Sequence, residues 1–178
     1  MKRELWRRPG LWSLVAALST ACLLAGITAQ DKPAEDPAVT RTRKQVLMLD
    51  DLYKTAIVLI TENYVDEKSD LAAGAAFQKL FEGMRKKGHH DVRLLDATGE
   101  PYNDKNLPRD DFEKAAIAAL KAGKPTYEQV VEKDGKRHLR LATPIPVVMK
   151  KCTLCHPAYE KAAPGQAIGA LGYTIAIE

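Results

Sequence analysis

The chain has 178 residues, and its 27 lysine and arginine residues against 23 aspartate and glutamate residues give a net charge of +4 at neutral pH. Residues 1–29 hold four of the basic residues and one of the acidic ones, so the remainder carries 23 basic against 22 acidic residues. This near-balance gives no reason to expect a nucleic-acid partner. The remaining length of about 149 residues suffices for one domain with a hydrophobic core.

The N-terminal segment has the form of a secretory signal peptide. Basic residues at positions 2, 3, 7 and 8 precede an uncharged apolar run over 11–27, and small residues at 28 and 29 offer a cleavage site. We therefore expect residues 1–29 to be a signal peptide and the protein to be periplasmic or otherwise exported. The apolar run is slightly short for a spanning helix, which needs about 20 residues, but it could be retained as a membrane anchor. Cys22 follows a poor lipidation motif and is assigned to the signal peptide.

The first half of the remaining chain is predicted to be helical. Residues 30–38, with two prolines, are predicted to form a linker, and residues 39–178 one domain. From Val39 apolar residues recur at three- and four-residue steps, which predicts a long helix. Its predicted apolar stripe comprises Leu49, Leu52, Tyr53, Ala56, Ile60 and Tyr64. A second helix is predicted over 71–87, capped by Ser69 or Asp70 and stopped by Gly88. Its predicted buried face comprises Ala73, Phe77, Leu80, Phe81 and Met84.

The second half is predicted to be rich in strands. Residues 91–96 predict a strand, residues 103–108 a loop, and Asp110 and Asp111 the start of a short helix that ends at Gly123. The β-prone runs over 127–133 and 136–143 are joined by an Asp-Gly pair, which is a strong hairpin signal. A last strand is predicted over 167–177. This order of elements predicts an α+β fold with an antiparallel sheet and flanking helices.

One motif carries recognisable chemistry, the C-x-x-C-H sequence Cys152-Thr153-Leu154-Cys155-His156. Two thiols at this spacing can form thioethers to the two vinyl groups of one haem, and the adjacent histidine can bind the iron as its proximal ligand. We therefore predict one covalent haem c on Cys152 and Cys155, with His156 as the iron ligand. The alternatives are half of a zinc site and a thioredoxin-like redox pair. The zinc site is disfavoured because the chain has no second pair of ligands nearby. The redox pair is disfavoured because the residues before Cys152 do not form the expected strand pattern.

Several stretches of the chain resemble a known family. They are residues 92–95 with 101–103, residues 112–114, residues 141–144, and residues 152–157 with 167–171. Together they are similar to the bacterial c-type haem domains of PAS-like fold, the Tll-like haem sensor type, long catalogued as a domain of unknown function. The resemblance covers about residues 39–177. It implies a PAS-like antiparallel sheet, a long N-terminal helix, and a role in redox or gas sensing.

The sixth ligand of the iron would decide between electron transfer and gas binding. The candidates are Met48, Met84, His89, His90, His138 and Met149, or an open position. Each also has an ordinary structural role: core or loop packing for the methionines, an exposed turn for His89 and His90, and for His138 the strand face opposite Leu139 and Leu141. Some members of the family use a distal cysteine, but without Cys22 the chain has no third cysteine to supply it.

These observations predict an exported monohaem c-type cytochrome domain that serves redox or gas sensing through a partner protein. The alternative is a periplasmic electron-transfer cytochrome, or a cytochrome subunit of a respiratory or oxidative enzyme. The chain is not expected to be an enzyme, because no distal Arg-His pair of a peroxidase is recognisable by spacing. The expected partners are a redox or signalling protein and the cytochrome c maturation machinery, with membrane contact only if the N-terminal segment is retained as an anchor.

Overall fold

The structure, a computed structural model, describes residues 35–66, 73–154 and 156–178. The predicted signal peptide and the start of the predicted linker lie outside these residues. Within them no helix is both long enough and apolar enough to cross a membrane. The helices and strands are α1 (Pro37–Tyr64), α2 (Ala73–Lys86), β1 (Asp91–Asp96), α3 (Asp111–Lys121), β2 (Tyr127–Lys133), β3 (Lys136–Pro146), α4 (Lys151–Leu154) and β4 (Ala167–Ala176), with 3-10 turns at Asp104–Asn106 and Pro157–Lys161.

The four strands form one antiparallel sheet in the order β1-β4-β3-β2. The last strand is therefore internal: Leu171 of β4 pairs with Leu94 of β1 on one side and with Thr143 of β3 on the other. Strands β2 and β3 are joined through Asp134 and Gly135, whose φ angles of 53° and 70° are those of a two-residue hairpin turn. The hairpin predicted from the Asp-Gly pair is confirmed.

Helices cover both faces of this sheet. The core on one face, beneath α1 and α2, includes Val46, Tyr53, Phe77, Phe81, Leu139, Leu141 and Tyr173. The core on the other face, beneath α3, includes Leu95, Phe112, Ala116, Ile117, Leu120, Ala142 and Ala170. The predicted α+β fold, with flanking helices and a long N-terminal helix, is confirmed, whereas its description as PAS-like stays a prediction.

Helix α1 begins inside the segment that the sequence predicted to be linker. The side chain of Asp36 accepts a hydrogen bond from the backbone N–H of Ala38 at 2.8 Å, which caps the helix. Pro37 occupies the first turn, where its missing N–H costs no helical hydrogen bond and its fixed φ suits the helix. The predicted linker was therefore wrong for Pro37 and Ala38, which belong to the helix. A proline is as compatible with the first turn of a helix as with a linker.

The predicted apolar stripe of α1 is only half buried. Three of its members contact the core on the sheet, namely Leu49, Tyr53 and Ala56. The other three are exposed to solvent, namely Leu52, Ile60 and Tyr64. The sheet-facing side is completed by Val39 and Val46 and by the polar Thr42 and Asp50, which are also buried. Apolar periodicity alone did not separate the two sides because this helix carries apolar residues on both.

Helix α2 follows its predicted pattern in part, since Ala73 and Met84 of its predicted buried face are only half-buried. Phe77 and Phe81 are buried as predicted, but Leu80 is exposed. Gly88 stops the helix in the left-handed conformation, with a φ of 76°, as predicted. The predicted capping residues at 69 and 70 lie outside the described residues.

Strand β3 continues three residues beyond its predicted end. It runs through Pro144, Ile145 and Pro146, which pair with the first residues of β4. The prolines predicted an earlier end because they lack the N–H donor that a central strand needs. The longer strand brings the chain to the end of the sheet at which the C-x-x-C-H segment begins.

Candidate cofactor site

An open apolar cleft lies between the C-terminal half of α1 and one end of the sheet, where β1 and β3 finish and β4 begins. Its volume is about 280 Å³, and both Cys152 and His156 line it. Aliphatic side chains from five elements, together with Val65 just after α1, form most of its wall: Ile57 and Val58 of α1, Ala73 of α2, Leu94 and Leu95 of β1, Ile145 and Pro146 of β3, and Ile168 of β4. The cleft therefore offers an apolar surface beside one thiol and one imidazole.

The single turn of α4 positions the thiol of Cys152. The backbone N–H of Cys152 donates to the carbonyl of Met149 at 3.1 Å, which closes the turn. The adjacent Lys151 fixes this turn to the end of α1, because its ammonium group donates to the carbonyls of Glu62 at 2.6 Å and Val65 at 3.1 Å. A cation at the last carbonyls of a helix is electrostatically favourable. Cys155 lies outside the described residues.

The imidazole of His156 is held between two aromatic rings. The ring of Tyr159 stacks on it with centroids 4.5 Å apart, and the ring of Tyr102 meets it edge-on at 4.9 Å. Burial lowers the pKa of His156, while the carboxylate of Asp96 opposes this change. Burial also raises the pKa of the Tyr159 hydroxyl. The lowered pKa favours the neutral imidazole, which is the form that binds a metal ion.

A buried polar network supports the α1 wall of the cleft. The carboxylate of Asp50 accepts hydrogen bonds from Thr143 Oγ1 at 2.6 Å and from the Tyr173 hydroxyl at 3.0 Å. It also accepts one from Lys54 Nζ at 2.9 Å, and this ammonium group donates further to Thr143 Oγ1 and to the carbonyl of Pro144. Lys54 lines the cleft. Because burial and the Asp50 carboxylate raise the pKa of Tyr173, its hydroxyl stays protonated and remains a donor.

Of the six predicted candidates for a sixth ligand, the structure brings only Met149 to the described wall of the cleft. Met48 is exposed on the outer side of α1, Met84 is half-buried on α2, and His89 is exposed. His90 is not the exposed turn residue that was predicted. It is buried, and its Nε2 lies 2.8 Å from the Tyr53 hydroxyl, which engages it away from the cleft.

His138 faces a second cleft on the opposite side of the sheet. This cleft has a volume of about 360 Å³ and is polar. Arg140 Nη1 lies 2.8 Å from an Asp110 carboxylate oxygen, and Arg93 Nε lies 2.8 Å from Glu113 Oε1, a charge contact without hydrogen-bond alignment. As predicted, His138 lies on the face of β3 opposite the buried Leu139 and Leu141.

Sequence reasoning found the thiol and the imidazole of the site but missed their supports. Lys54 and Lys151 resemble ordinary exposed helix residues, and nothing in their spacing connected them to the motif. Tyr159 gave a weak signal, since it follows His156 by three residues. In the described part of the chain, no three His, Cys, Asp or Glu side chains come together in a way that could hold a metal ion.

The fold and the site together define an α+β domain with a cleft that carries Cys152 and His156 at one end of its sheet, and the comparisons with known proteins agree with this fold. The model of the Tll0287-like family matches residues 34–172, so the chain belongs to the Tll0287-like family, as the resemblance predicted. Among solved structures the chain is similar to the crystal structure of the cyanobacterial heme-protein Tll0287. The match has 13% identity and a TM-score of 0.56, and covers 80% of this chain and 97% of that chain. No curated protein matches the chain.

Proposed function

We propose that this protein is a covalent haem-binding domain, in which Cys152 and Cys155 hold one haem c through thioethers and His156 binds the iron. The observation that carries the proposal is the presence of Cys152 and His156 on the wall of one apolar cleft. The similarity to Tll0287, which is described as a cyanobacterial heme-protein, supports it. The predicted signal peptide also supports it, because the attachment chemistry takes place outside the cytoplasmic membrane of bacteria.

The residues present fit such a group. A porphyrin needs an apolar, largely dry surface, and the aliphatic wall of the cleft supplies one. The cleft is open to solvent, so a porphyrin seated on it would remain partly exposed. Haem iron supplies a redox centre and a binding position for small gas molecules. Tyr102 and Tyr159 orient the imidazole of His156. The aliphatic wall of the cleft would keep water from the covered face of the porphyrin.

We assign the domain to redox or gas sensing in the periplasm, in association with a partner protein. The support for sensing is the remoteness of the strongest candidate ligands, since His89, His90 and His138 do not line the described cleft. A distal side without a strong protein ligand leaves a position for O₂, NO or CO.

A specific observation also favours the alternative, electron transfer. Met149 lines the cleft together with Cys152 and His156, and a methionine opposite a histidine is the ligand pair of electron-carrying cytochromes c. The two functions therefore differ in whether Met149 binds the iron.

Absorption spectra of the haem-loaded chain, with and without CO, separate these functions. Sensing predicts a ferrous haem that binds CO in the wild-type protein and in Met149→Ala alike. Electron transfer predicts a low-spin haem that is inert to CO in the wild-type protein and becomes CO-reactive in Met149→Ala. Met84→Ala is the matched control, since Met84 does not line the cleft, and it should leave either spectrum unchanged. A haem that is inert to CO in all three proteins would contradict both assignments.

A further inference from the structure

Helix α1 presents apolar side chains on the side that faces away from the sheet. Met48, Leu52 and Leu59 are exposed by 65, 61 and 53%, although α1 already buries Val46 and Tyr53 on its opposite side. Contiguous apolar patches on a protein surface mark interaction sites, whereas single scattered apolar residues are normal. We call this surface the outer face of α1 and define it as the exposed residues at positions 44, 45, 48, 52, 55, 59 and 62.

The spacing of the outer face is that of a helix-pairing seam. Positions 45, 48, 52, 55, 59 and 62 are separated by steps of three, four, three, four and three residues, the a and d pattern of a heptad repeat. The middle of the seam holds the apolar Met48, Leu52 and Leu59 with Thr55 among them, and its ends are the polar Gln45 and Glu62. It covers about 25 Å of a straight helix at 1.5 Å per residue. A partner helix of the same length would cover it completely.

The seam is complementary to itself when the second helix runs antiparallel. About a two-fold axis through the point midway between positions 53 and 54, Met48 faces Leu59 of the other copy, and Leu52 faces Thr55. We propose that the outer face of α1 is a dimerisation surface, on which a second copy of this chain docks through its own α1 in the antiparallel direction. The proposal does not depend on haem binding.

The charges at the ends of the seam select this direction. Lys44 and Glu62 are both exposed, lie on the same side of the helix, and are equally distant from the proposed axis to within one residue. In the antiparallel pair each Lys44 therefore meets Glu62 of the other copy, and the two-fold symmetry makes this contact twice. In a parallel pair Lys44 would face Lys44 and Glu62 would face Glu62. Like charges at these positions would oppose association.

The composition of the outer face favours a second copy over a membrane surface. Helices that lie on anionic membranes combine an apolar face with lysine and arginine on the polar side. Here the apolar residues are flanked by Asp51 and Glu62 as well as by Lys44, so the two signs are mixed. A mixed-sign seam is the arrangement that pairs with an oppositely ordered copy of itself.

Sedimentation velocity of the full chain, expressed with its own N-terminal segment in a haem-attaching bacterial host, tests the proposal. We expect a dimer whose dissociation constant rises at least about tenfold in Leu52→Glu, because the substitution places two charges at the centre of the apolar seam. Leu80→Glu is the matched control, because Leu80 is an exposed leucine of a different helix. A wild-type protein that is monomeric at high micromolar concentration would overturn the proposal, as would an equal loss of the dimer in both variants.

A charge exchange tests the antiparallel direction. Lys44→Glu and Glu62→Lys should each raise the dissociation constant about three- to tenfold, because each replaces two attractive contacts with two repulsive ones. The double variant Lys44→Glu with Glu62→Lys should restore the wild-type value. In a parallel pair each single substitution exchanges one like-charge contact for another, so unchanged dissociation constants in the single variants would overturn the antiparallel arrangement.

Discussion

The Asp50 network makes a quantitative prediction about stability. In Asp50→Asn the remaining amide oxygen can still accept from Thr143 and Tyr173, but an NH₂ group then faces the ammonium group of Lys54. Removing one partner of a fully buried ion pair costs about 3–5 kcal/mol. Lys54 is 28% exposed and keeps two other acceptors, so we expect a smaller loss, about 1.5–3 kcal/mol of the unfolding free energy. For a domain of this size that lowers the melting temperature by about 3–12 °C.

Far-ultraviolet circular dichroism during urea unfolding measures this loss. Tryptophan fluorescence is unsuitable, because both tryptophans, Trp6 and Trp12, lie in the predicted signal peptide. Asp51→Asn is the matched control, since Asp51 is the exposed neighbour of Asp50 and its substitution should change the unfolding free energy by no more than about 0.5 kcal/mol. If Asp50→Asn lies within about 0.5 kcal/mol of Asp51→Asn, the network does not stabilise the α1 wall as argued.

Three further predictions concern pH, backbone packing and the cleft. Burial lowers the pKa of His90 in the folded protein. As the pH falls below about 6.5, the ordinary pKa of histidine, the unfolded chain therefore binds a proton at His90 that the folded chain does not bind. The unfolding free energy should fall in this pH range, and it should fall less steeply in His90→Gln. Gly169→Ala should lower the unfolding free energy by about 1–3 kcal/mol, because its new Cβ would lie 2.8 Å from the backbone oxygen of Leu95. Ile57→Glu places a charge on the apolar wall of the cleft and should lower the yield of haem-loaded protein, read from its absorbance per chain.

Each of these three predictions has a control in the same chain. His89→Gln changes the exposed histidine beside His90, and it should not flatten the fall in stability below pH 6.5. Gly83→Ala adds a Cβ that meets nothing within 4 Å in a helix, so it should raise stability by about 0.5–1 kcal/mol. Leu80→Glu adds a charge outside the cleft and should leave haem loading unchanged. A control that behaves like its test variant would contradict the corresponding prediction.

Local signals in the sequence predicted most of the fold. The Asp-Gly pair between two β-prone runs indicated the hairpin, and Gly88 indicated the end of α2, since both are conformational requirements of the backbone itself. The start of α1 was missed because Pro37 is compatible with a linker and with a first helical turn. What distinguishes the two is the side chain of Asp36, whose capping role depends on geometry.

The chemistry of the candidate site was predictable because it lies within five consecutive residues, whereas its surroundings are distant in sequence. Lys151 contacts carbonyls at the end of α1, and Asp50 meets Thr143 across 93 positions. Apolar periodicity also could not indicate which side of α1 faces the sheet, because the helix carries apolar residues on both sides. Val46 is buried against the sheet, whereas Leu52 is exposed on the opposite side. These features depend on tertiary packing, which local patterns do not encode.

The central claim is that Cys152 and Cys155 attach one haem covalently, and the intact mass of the exported chain tests it most directly. After extraction with acidified acetone, the chain produced in a host with cytochrome c maturation should be heavier than its sequence by the mass of one haem. Cys152→Ala together with Cys155→Ala should remove that mass, whereas Cys22→Ser should not affect it. A wild-type chain that loses all its haem on extraction and keeps both thiols free would contradict the claim.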